Sequence, residues 1–303
     1  MKRWLMVLMA SAAVSMWAGA QDVWVRPYVW HDDASSTFTW SFVNGCLTLS
    51  DTSTDCQGTE PNGDPDPEWY SQCGWGNRHV WFITMDGNGP TWFDPDSDDS
   101  SLELEFTLDL TPVMQAERTV EAGVFVVERP FPRFPREVND QGNWWADGVL
   151  MVANESAGGA GGEIAAFGGR LPFWNGGGAR YQGGPITLIF RYDGVQKKVQ
   201  YEVRYNNQTY TSGWLSPGDS ASTYNGGPHG LRYFAIGGYL QINRINQGNT
   251  AGGTARFGCN SSIKLNGRAV LGSGMGDVNL DGCVDDADLL TVLFNFGTGC
   301  GGD

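Results

Sequence analysis

Oxygen-bearing side chains recur at fixed intervals near the C-terminus: Asp277, Asn279, Asp281, Asp285 and Asp288. Counted as a twelve-residue loop that starts at Asp277, they fill positions 1, 3, 5, 9 and 12, and the Cys283 carbonyl falls at position 7. Calcium takes about six to eight hard oxygens, and a loop with ligands at these positions places them around a single ion. Gly282 stands at position 6, where the chain must turn sharply, and Val284 at position 8 can point into a small core. The spacing predicts a Ca2+ site made by Asp277, Asn279, Asp281, the Cys283 carbonyl, Asp285 (directly or through water) and Asp288. A merely acidic turn would show no such spacing.

Other candidates are looser. Cleaving a glycosidic bond takes two carboxylates about 5–10 Å apart, one acting as acid and the other as base or nucleophile. Glu103 and Glu105 stand two apart in Leu102–Leu110, where even positions are apolar and odd positions polar, so they share a face with Asp109. They are the candidate catalytic pair, although Thr107 occupies the next slot of that face. The plainer reading is the wet face of an amphipathic strand. Glu121 and Glu128 are seven apart and fall on opposite faces of a regular strand. Asp94, Asp96, Asp98 and Asp99 lack the twelve-residue spacing and read as a solvated loop. His31, His79 and His229 have no metal-binding spacing, and no GxSxG elbow occurs.

Of 13 tryptophans, 11 lie beyond residue 20. Trp144, Trp145, Trp174 and Trp214 sit in or beside Gly/Asn-rich segments. An exposed indole stacks on the apolar face of a sugar ring while neighbouring amides and carboxylates read its hydroxyls. These four are the candidate carbohydrate contacts, and core filling is the competing use of the same rings.

The elements that must position these residues are mostly strands. Short alternating or β-branched runs recur from about residue 23 to 270, most of them bounded by Gly, Asn, Asp or Pro. They include Phe38–Val43, His79–Thr84, Leu102–Leu110, Thr119–Glu128, Val149–Ala153, Ile164–Phe167, Ile186–Tyr192, Lys198–Tyr205, Leu231–Ile236, Tyr239–Ile245 and Ile263–Leu265. Residues 185–205 read as a hairpin turning at Asp193-Gly194. Residues 51–77, 86–101, 158–162 and 176–184 read as loops. No window before residue 285 keeps a helical period. The pattern predicts a mostly β chain forming a two-sheet antiparallel sandwich over residues 21–271, a linker at 272–276 and a calcium loop–helix unit at 277–303.

Residues 1–20 carry Lys2 and Arg3, a short apolar run and Ala18-Gly19-Ala20, the pattern of a signal peptide cleaved after Ala20. The full chain has 19 basic and 34 acidic side chains; without Lys2 and Arg3 the counts are 17 and 34, a net −17. That charge disfavours nucleic acid and anionic lipid as partners. No segment after the leader is apolar enough to span a bilayer. The six cysteines, Cys46, Cys56, Cys73, Cys259, Cys283 and Cys300, read as disulfides in an exported chain, with about 15 pairings open. Gln72-Cys73-Gly74-Trp75 faintly resembles the nucleophile segment of papain-like proteases but lacks the rest of that signature.

Gly276–Gly282, with Asp288-Leu289-Leu290-Thr291-Val292-Leu293-Phe294-Asn295-Phe296-Gly297, resembles one repeat of a type I dockerin, an EF-hand-like unit with Asp at position 12. The resemblance implies a bacterial extracellular protein and a cohesin-like partner. Dockerins usually pack two repeats together, and this chain has one. Leu289, Leu290, Leu293, Phe294 and Phe296 form an apolar stripe that must pack on something. A unit this small leans on calcium, a Cys283–Cys300 disulfide, the sandwich or a second copy of the tail. The 185–205 hairpin, Gly230–Gly238 and Phe257–Gly267 make the body resemble concanavalin A/laminin-G-like jelly rolls. Those folds serve lectins, glycosidases, adhesion modules and spacers.

The expectation is a secreted calcium-binding protein with a carbohydrate-binding or glycan-associated sandwich. Polysaccharide cleavage by a hydrolase or lyase, and a structural or adhesive role, are the alternatives. Intact-mass measurement of the exported protein should give a chain beginning at Gln21; retention of residues 1–20 would mark an uncleaved anchor.

Overall fold

Alternation decides which way each strand faces. In β5 (Leu102–Thr111) the side chains of Leu102, Leu104, Phe106, Leu108 and Leu110 are buried, while Glu103, Glu105, Thr107 and Asp109 are half-buried, as the sequence pattern predicts. The computed structural model describes residues 22–28, 38–43, 45–52, 78–84, 90–95, 101–116, 118–128, 148–168, 171–216, 231, 233–242, 252–259 and 261–272. They contain strands and short 3-10 turns at Ala157–Gly159 and Gly176–Gly178, with no α-helix among the described residues.

Two sheets stack face to face. The first runs in the order β17 (Leu271–Gly272), β1 (Asp22–Tyr28), β4 (Arg78–Thr84), β13 (Phe234–Ile242), β6 (Val120–Glu128), β7 (Gly148–Ala153), β8 (Gly162–Phe167) and β9 (Arg180–Tyr181). The second runs β12 (Gln208–Leu215), β11 (Lys198–Tyr205), β10 (Ile186–Asp193), β5, β14 (Gly253–Phe257), β3 (Cys46–Asp51) and β2 (Phe38–Val43). β15 (Lys264–Leu265) adds to β5, and β16 (Arg268–Ala269) to β15. Every strand pair is antiparallel except β1–β17. The expected two-sheet antiparallel sandwich is the fold.

The core lies between the sheets. Trp81 of β4 is fully buried there, with Phe106 and Phe257 of the facing sheet set edge-on to its ring at 5.5 Å. Aromatic rings favour this edge-to-face contact. His79, two residues earlier on the same side of β4, reaches the facing sheet too. Its Nε2 lies 2.6 Å from Asp51 Oδ2, both side chains are fully buried, and the Phe38 ring stacks on the imidazole at 3.9 Å. A disulfide joins Cys46 to Cys259, which closes the β2–β3 hairpin onto the turn after β14. The other four cysteines lie outside the described residues.

The structure departs from the sequence reading in several places: β14 matches none of the runs read from sequence, and β9 lies within the 176–184 stretch read as a loop. Gly237-Gly238 reads as a break between two strands, yet β13 runs straight through it. A Cβ at Gly237 would lie 1.8 Å from the Trp81 carbonyl oxygen, and one at Gly238 would lie 2.7 Å from the Trp81 indole. The glycines therefore make room for Trp81 inside a continuous strand. β12 has no counterpart in the sequence reading because it is an edge strand with little buried surface and so has no apolar period. Asn206 and Asn207, both at positive φ, make the tight turn that pairs it with β11. β3 is likewise unanticipated, with Leu47 and Leu49 as its only fully apolar inward positions. The 1–20 leader, Trp144, Trp145 and the 277–288 calcium loop lie outside the described residues.

Gly237→Ala should force β4 and β13 apart. Overpacking of this kind costs about 3 kcal/mol, which lowers the melting temperature by roughly 6–12 °C in a thermal scan.

Candidate functional site

Four central strands of the first sheet, β4, β13, β6 and β7, are buried on both faces. The inward face joins the main core. The outward face carries its own apolar cluster, which includes Val80, Phe82, Phe125, Met151 and Tyr239. At one end of that outward face the apolar surface gives way to polar groups. Because Trp81 faces inward, Arg78 faces outward. Leu240 and Ile242 inward set Tyr239 and Gln241 outward, and Val120 and Ala122 do the same for Glu121. Strand register then aligns Arg78, Gln241 and Glu121 in one row across β4, β13 and β6, with Tyr239 one step along.

Arg78, Glu121, Tyr239 and Gln241 are all buried. Arg78 Nε donates to Gln241 Oε1 at 2.6 Å, and Arg78 Nη2 lies 3.9 Å from Glu121 Oε1. The Tyr239 hydroxyl donates to Glu121 Oε1 at 3.2 Å. The guanidinium sits over two ring faces, 5.0 Å from the Tyr239 centroid and 5.5 Å from that of Phe125. Such cation–π contact is strongest where water is excluded. Burial drives the Tyr239 phenol well above its ordinary pKa, the Glu121 charge adds to that, and Arg78 opposes it. The phenol therefore stays a donor through the physiological range.

A second arginine flanks the row. Arg118 Nη1 lies 3.8 Å from Glu121 Oε2, Arg118 Nε and Nη2 hold the Glu155 carboxylate at 2.6 and 2.9 Å, and Nη2 also pairs with Glu163. Burial pulls the Arg118 guanidinium down, but the Glu155 hydrogen bonds and the three carboxylate charges outweigh it and raise its pKa. Three acidic side chains thus converge on the guanidinium, which supplies the cation among them. No group of three His, Cys, Asp or Glu side chains is placed to hold a metal among the described residues. The buried assembly holds guanidinium and phenol donors, a carboxylate acceptor and an amide that can do both, engaged with one another.

Glu103 and Glu105 lie on the outer face of the second sheet, as their parity predicts. Both are held in ion pairs: Glu103 with Arg191, and Glu105 with Lys264 at 2.9 Å and Arg204 at 3.6 Å. Glu202 joins the network through Arg191 at 2.8 Å and Arg204 at 2.7 Å. Burial raises the Glu202 carboxyl, but the hydrogen bonds from Arg191 and Arg204 outweigh it and hold the group below its usual range.

Trp214 stands on this same outer face, opposite Gln200 in the β11–β12 ladder and 42% exposed. Trp174 is only 9% exposed; its ring stacks on Tyr201 at 6.0 Å and closes the side of the core near β8 and β12. Asp94 is half-buried next to the Phe93–Phe234 bridge, and Asp96, Asp98 and Asp99 lie outside the described residues. Of the four candidate tryptophans, Trp174 and Trp214 stand apart, one in the core and one on the outer face, and Trp144 and Trp145 lie outside the described residues.

The Arg78–Gln241–Glu121 row has no counterpart in the sequence reading. Its signal was present as charged or amide groups inside runs that are otherwise apolar on both parities, a pattern that single-strand alternation passes over.

No family model matches the chain, and no curated protein matches it. Among solved structures it is similar to a seed lectin of Lotus tetragonolobus, at 13% identity and a TM-score of 0.41 over 77% of this chain and 94% of that one. It is also similar to an alginate lyase from Pseudomonas aeruginosa, at 15% identity and a TM-score of 0.42 over 76% and 86% of the two chains. A marine alginate lyase from Zobellia galactanivorans gives 11% identity and a TM-score of 0.38 over 82% and 95%. At this level of likeness no residue role carries over.

The raised Tyr239 pKa has a pH consequence. A group whose folded pKa lies above its unfolded value contributes stability below the unfolded value, near pH 10, and loses it as pH rises toward the folded one. The parent should therefore lose stability more steeply than Tyr239→Phe above about pH 10, as read from urea midpoints across the alkaline range.

Proposed function

We propose that this protein is an exported, calcium-carrying protein whose β-sandwich engages polysaccharide on the outer side of its first sheet, above the buried Arg78–Gln241–Glu121–Tyr239 row. The observation that carries this reading is the row itself: four polar side chains from three adjacent strands, buried on the face that the main core does not use. Burying ionisable groups costs stability unless they pair, and a packed sheet has no structural need of them. Clusters of buried polar groups occur at functional sites as well as in structural ion-pair networks. Their mixture of donors and acceptors beside aromatic rings suits a ligand rich in hydroxyls and with apolar ring faces.

The leader pattern supports export, and the 277–288 spacing supports a Ca2+ ion held by Asp277, Asn279, Asp281, Cys283, Asp285 and Asp288. The dockerin-like tail is the part that would meet a cohesin-like partner. A second reading, cleavage of the bound chain, rests on the Tyr239–Glu121 contact. A phenol donor and a carboxylate acceptor at hydrogen-bond distance are what a proton-transfer step needs.

Mature chain, with and without EDTA, should be mixed with a panel of insoluble polysaccharides, and retained protein and released sugar read from the same tubes. Retention that Tyr239→Phe weakens about fivefold to tenfold fits one lost hydrogen bond in the site. Soluble product from the parent, lost in Tyr239→Phe, would establish cleavage. Retention unchanged by Tyr239→Phe and Gln241→Leu would move the glycan off this face. No retention on any polysaccharide would favour a structural role for the sandwich.

A further inference from the structure

Along β12 the inward and outward parities change places. Tyr210 packs against the core, so Thr209 and Thr211 face outward, and unbroken alternation would send Trp214 inward. Instead Thr211 pairs with Glu202 and Trp214 with Gln200, so β12 advances by one residue more than β11 over this interval. The resulting β-bulge exchanges the two faces of the strand. Leu215 packs on the core, and Trp214 stands outside with 42% of its surface exposed.

Two residues sustain the bulge. Gly213 carries it at φ +66°, in the left-handed region that favours glycine. Ser212 Oγ accepts from the Tyr201 amide at 2.9 Å, so that amide keeps a partner where the ladder is interrupted. An indole has more apolar surface to bury than the leucine that takes the inward place, so packing alone does not account for the exchange. Bulges that re-aim a side chain are common beside active sites.

The groups around the ring are polar and fixed. Register places Trp214, Gln200, Arg191 and Glu103 in one row across β12, β11, β10 and β5. Three strand spacings give this row a length of about 14 Å. Arg191 Nη1 donates to Gln200 Oε1 at 2.9 Å, which orients the amide and leaves its Nε2 to donate beside the indole. Glu202, one step along, is held at Oε1 by Arg204 and at Oε2 by Arg191, and keeps acceptor capacity on both oxygens. Arg191, Arg204 and Lys264 match the charges of Glu103, Glu105 and Glu202, so the row does not attract a polyanion, and the acidic chain as a whole repels one.

We propose that Trp214, Gln200 and Glu202 form a glycan contact of their own, on the opposite side of the sandwich from the first-sheet row, that takes a neutral pyranose of a polysaccharide. The apolar face of the sugar stacks on the indole, while Gln200 Nε2 donates to one hydroxyl and Glu202 accepts from another. A single indole among fixed polar groups suits a sugar ring better than a protein, whose interface centre needs contiguous apolar surface. The contact stands independently of the first-sheet reading.

The test compares the parent protein with Trp214→Ala, Trp214→Phe and Tyr239→Phe. Affinity electrophoresis through gels holding laminarin, xyloglucan or galactomannan, all neutral, reads binding. Oxidation of the indole by N-bromosuccinimide, mapped by peptide mass, reads Trp214 directly. Trp214 is exposed at a sheet edge, so both of its variants should keep the parental melting temperature. At least one glycan should slow oxidation of Trp214 in the parent and in Tyr239→Phe alike. Its affinity should fall about threefold to tenfold in Trp214→Ala, the loss of one stacked ring, and less in Trp214→Phe. Equal retardation of parent and Trp214→Ala, with oxidation unslowed, overturns the proposal; if Tyr239→Phe then loses retardation, the first-sheet reading stands alone. Retardation lost in Trp214→Ala but unchanged in Tyr239→Phe supports this contact and counts against the first-sheet one. No retardation in any gel overturns the proposal. Trp214 shielded without glycan, in a dimer seen by sedimentation, overturns it too and assigns the ring to a second copy.

Discussion

The two-residue pleat of the first sheet is the constraint on which the rest depends. Trp81 fills the space between the sheets against Phe106 and Phe257, and β13 carries glycine at 237 and 238 so that this can happen. Once Trp81 and His79 face inward, Arg78 has no choice of face. The same parity on β13 and β6 sends Gln241, Tyr239 and Glu121 to the same outer surface, and antiparallel register brings them side by side. A core tryptophan and a surface of polar chemistry are thus two consequences of one backbone setting.

Burial on both faces makes the polar row demanding. Removing one partner from a buried charged pair costs about 3–5 kcal/mol because the other is stranded. The row meets this by mutual pairing, with Arg118 and its carboxylates as a flank. The His79–Asp51 contact on the opposite face obeys the same rule and adds a link between the sheets. The second sheet follows different physics: Glu103, Glu105 and Glu202 meet Arg191, Arg204 and Lys264 on a wet face, where each pair contributes about 1 kcal/mol or less. Its charges balance locally, so that face gains solubility rather than a field that would steer a charged ligand. This difference in burial is why the first sheet, and not the pair Glu103 and Glu105, is the better home for a site.

How much was legible varies with the physical source of the signal. β5 was plain because one face is dry and the other wet, and Lys198–Tyr205 matched its strand for the same reason. β12 was invisible because an edge strand buries too little to impose a period. β13 was divided in two because Gly237-Gly238 looks like a turn until the Trp81 ring that they accommodate is placed. Trp174 and Trp214 were equal candidates in sequence. One packs on Tyr201 in the core and the other stands on an open face, a distinction that no local pattern encodes.

By itself the sequence determined the mostly β, two-sheet antiparallel class, since alternation and turn residues are local properties of the chain. It also determined that Glu103 and Glu105 share a face, because parity within one strand needs no partner. Only the tertiary structure decided that Cys46 pairs with Cys259 and which strands lie side by side. It alone assembled Arg78, Glu121, Tyr239 and Gln241, which are up to 163 residues apart in the chain. Strand order and register are set by packing two whole sheets against each other, and that free energy has no local address in the sequence.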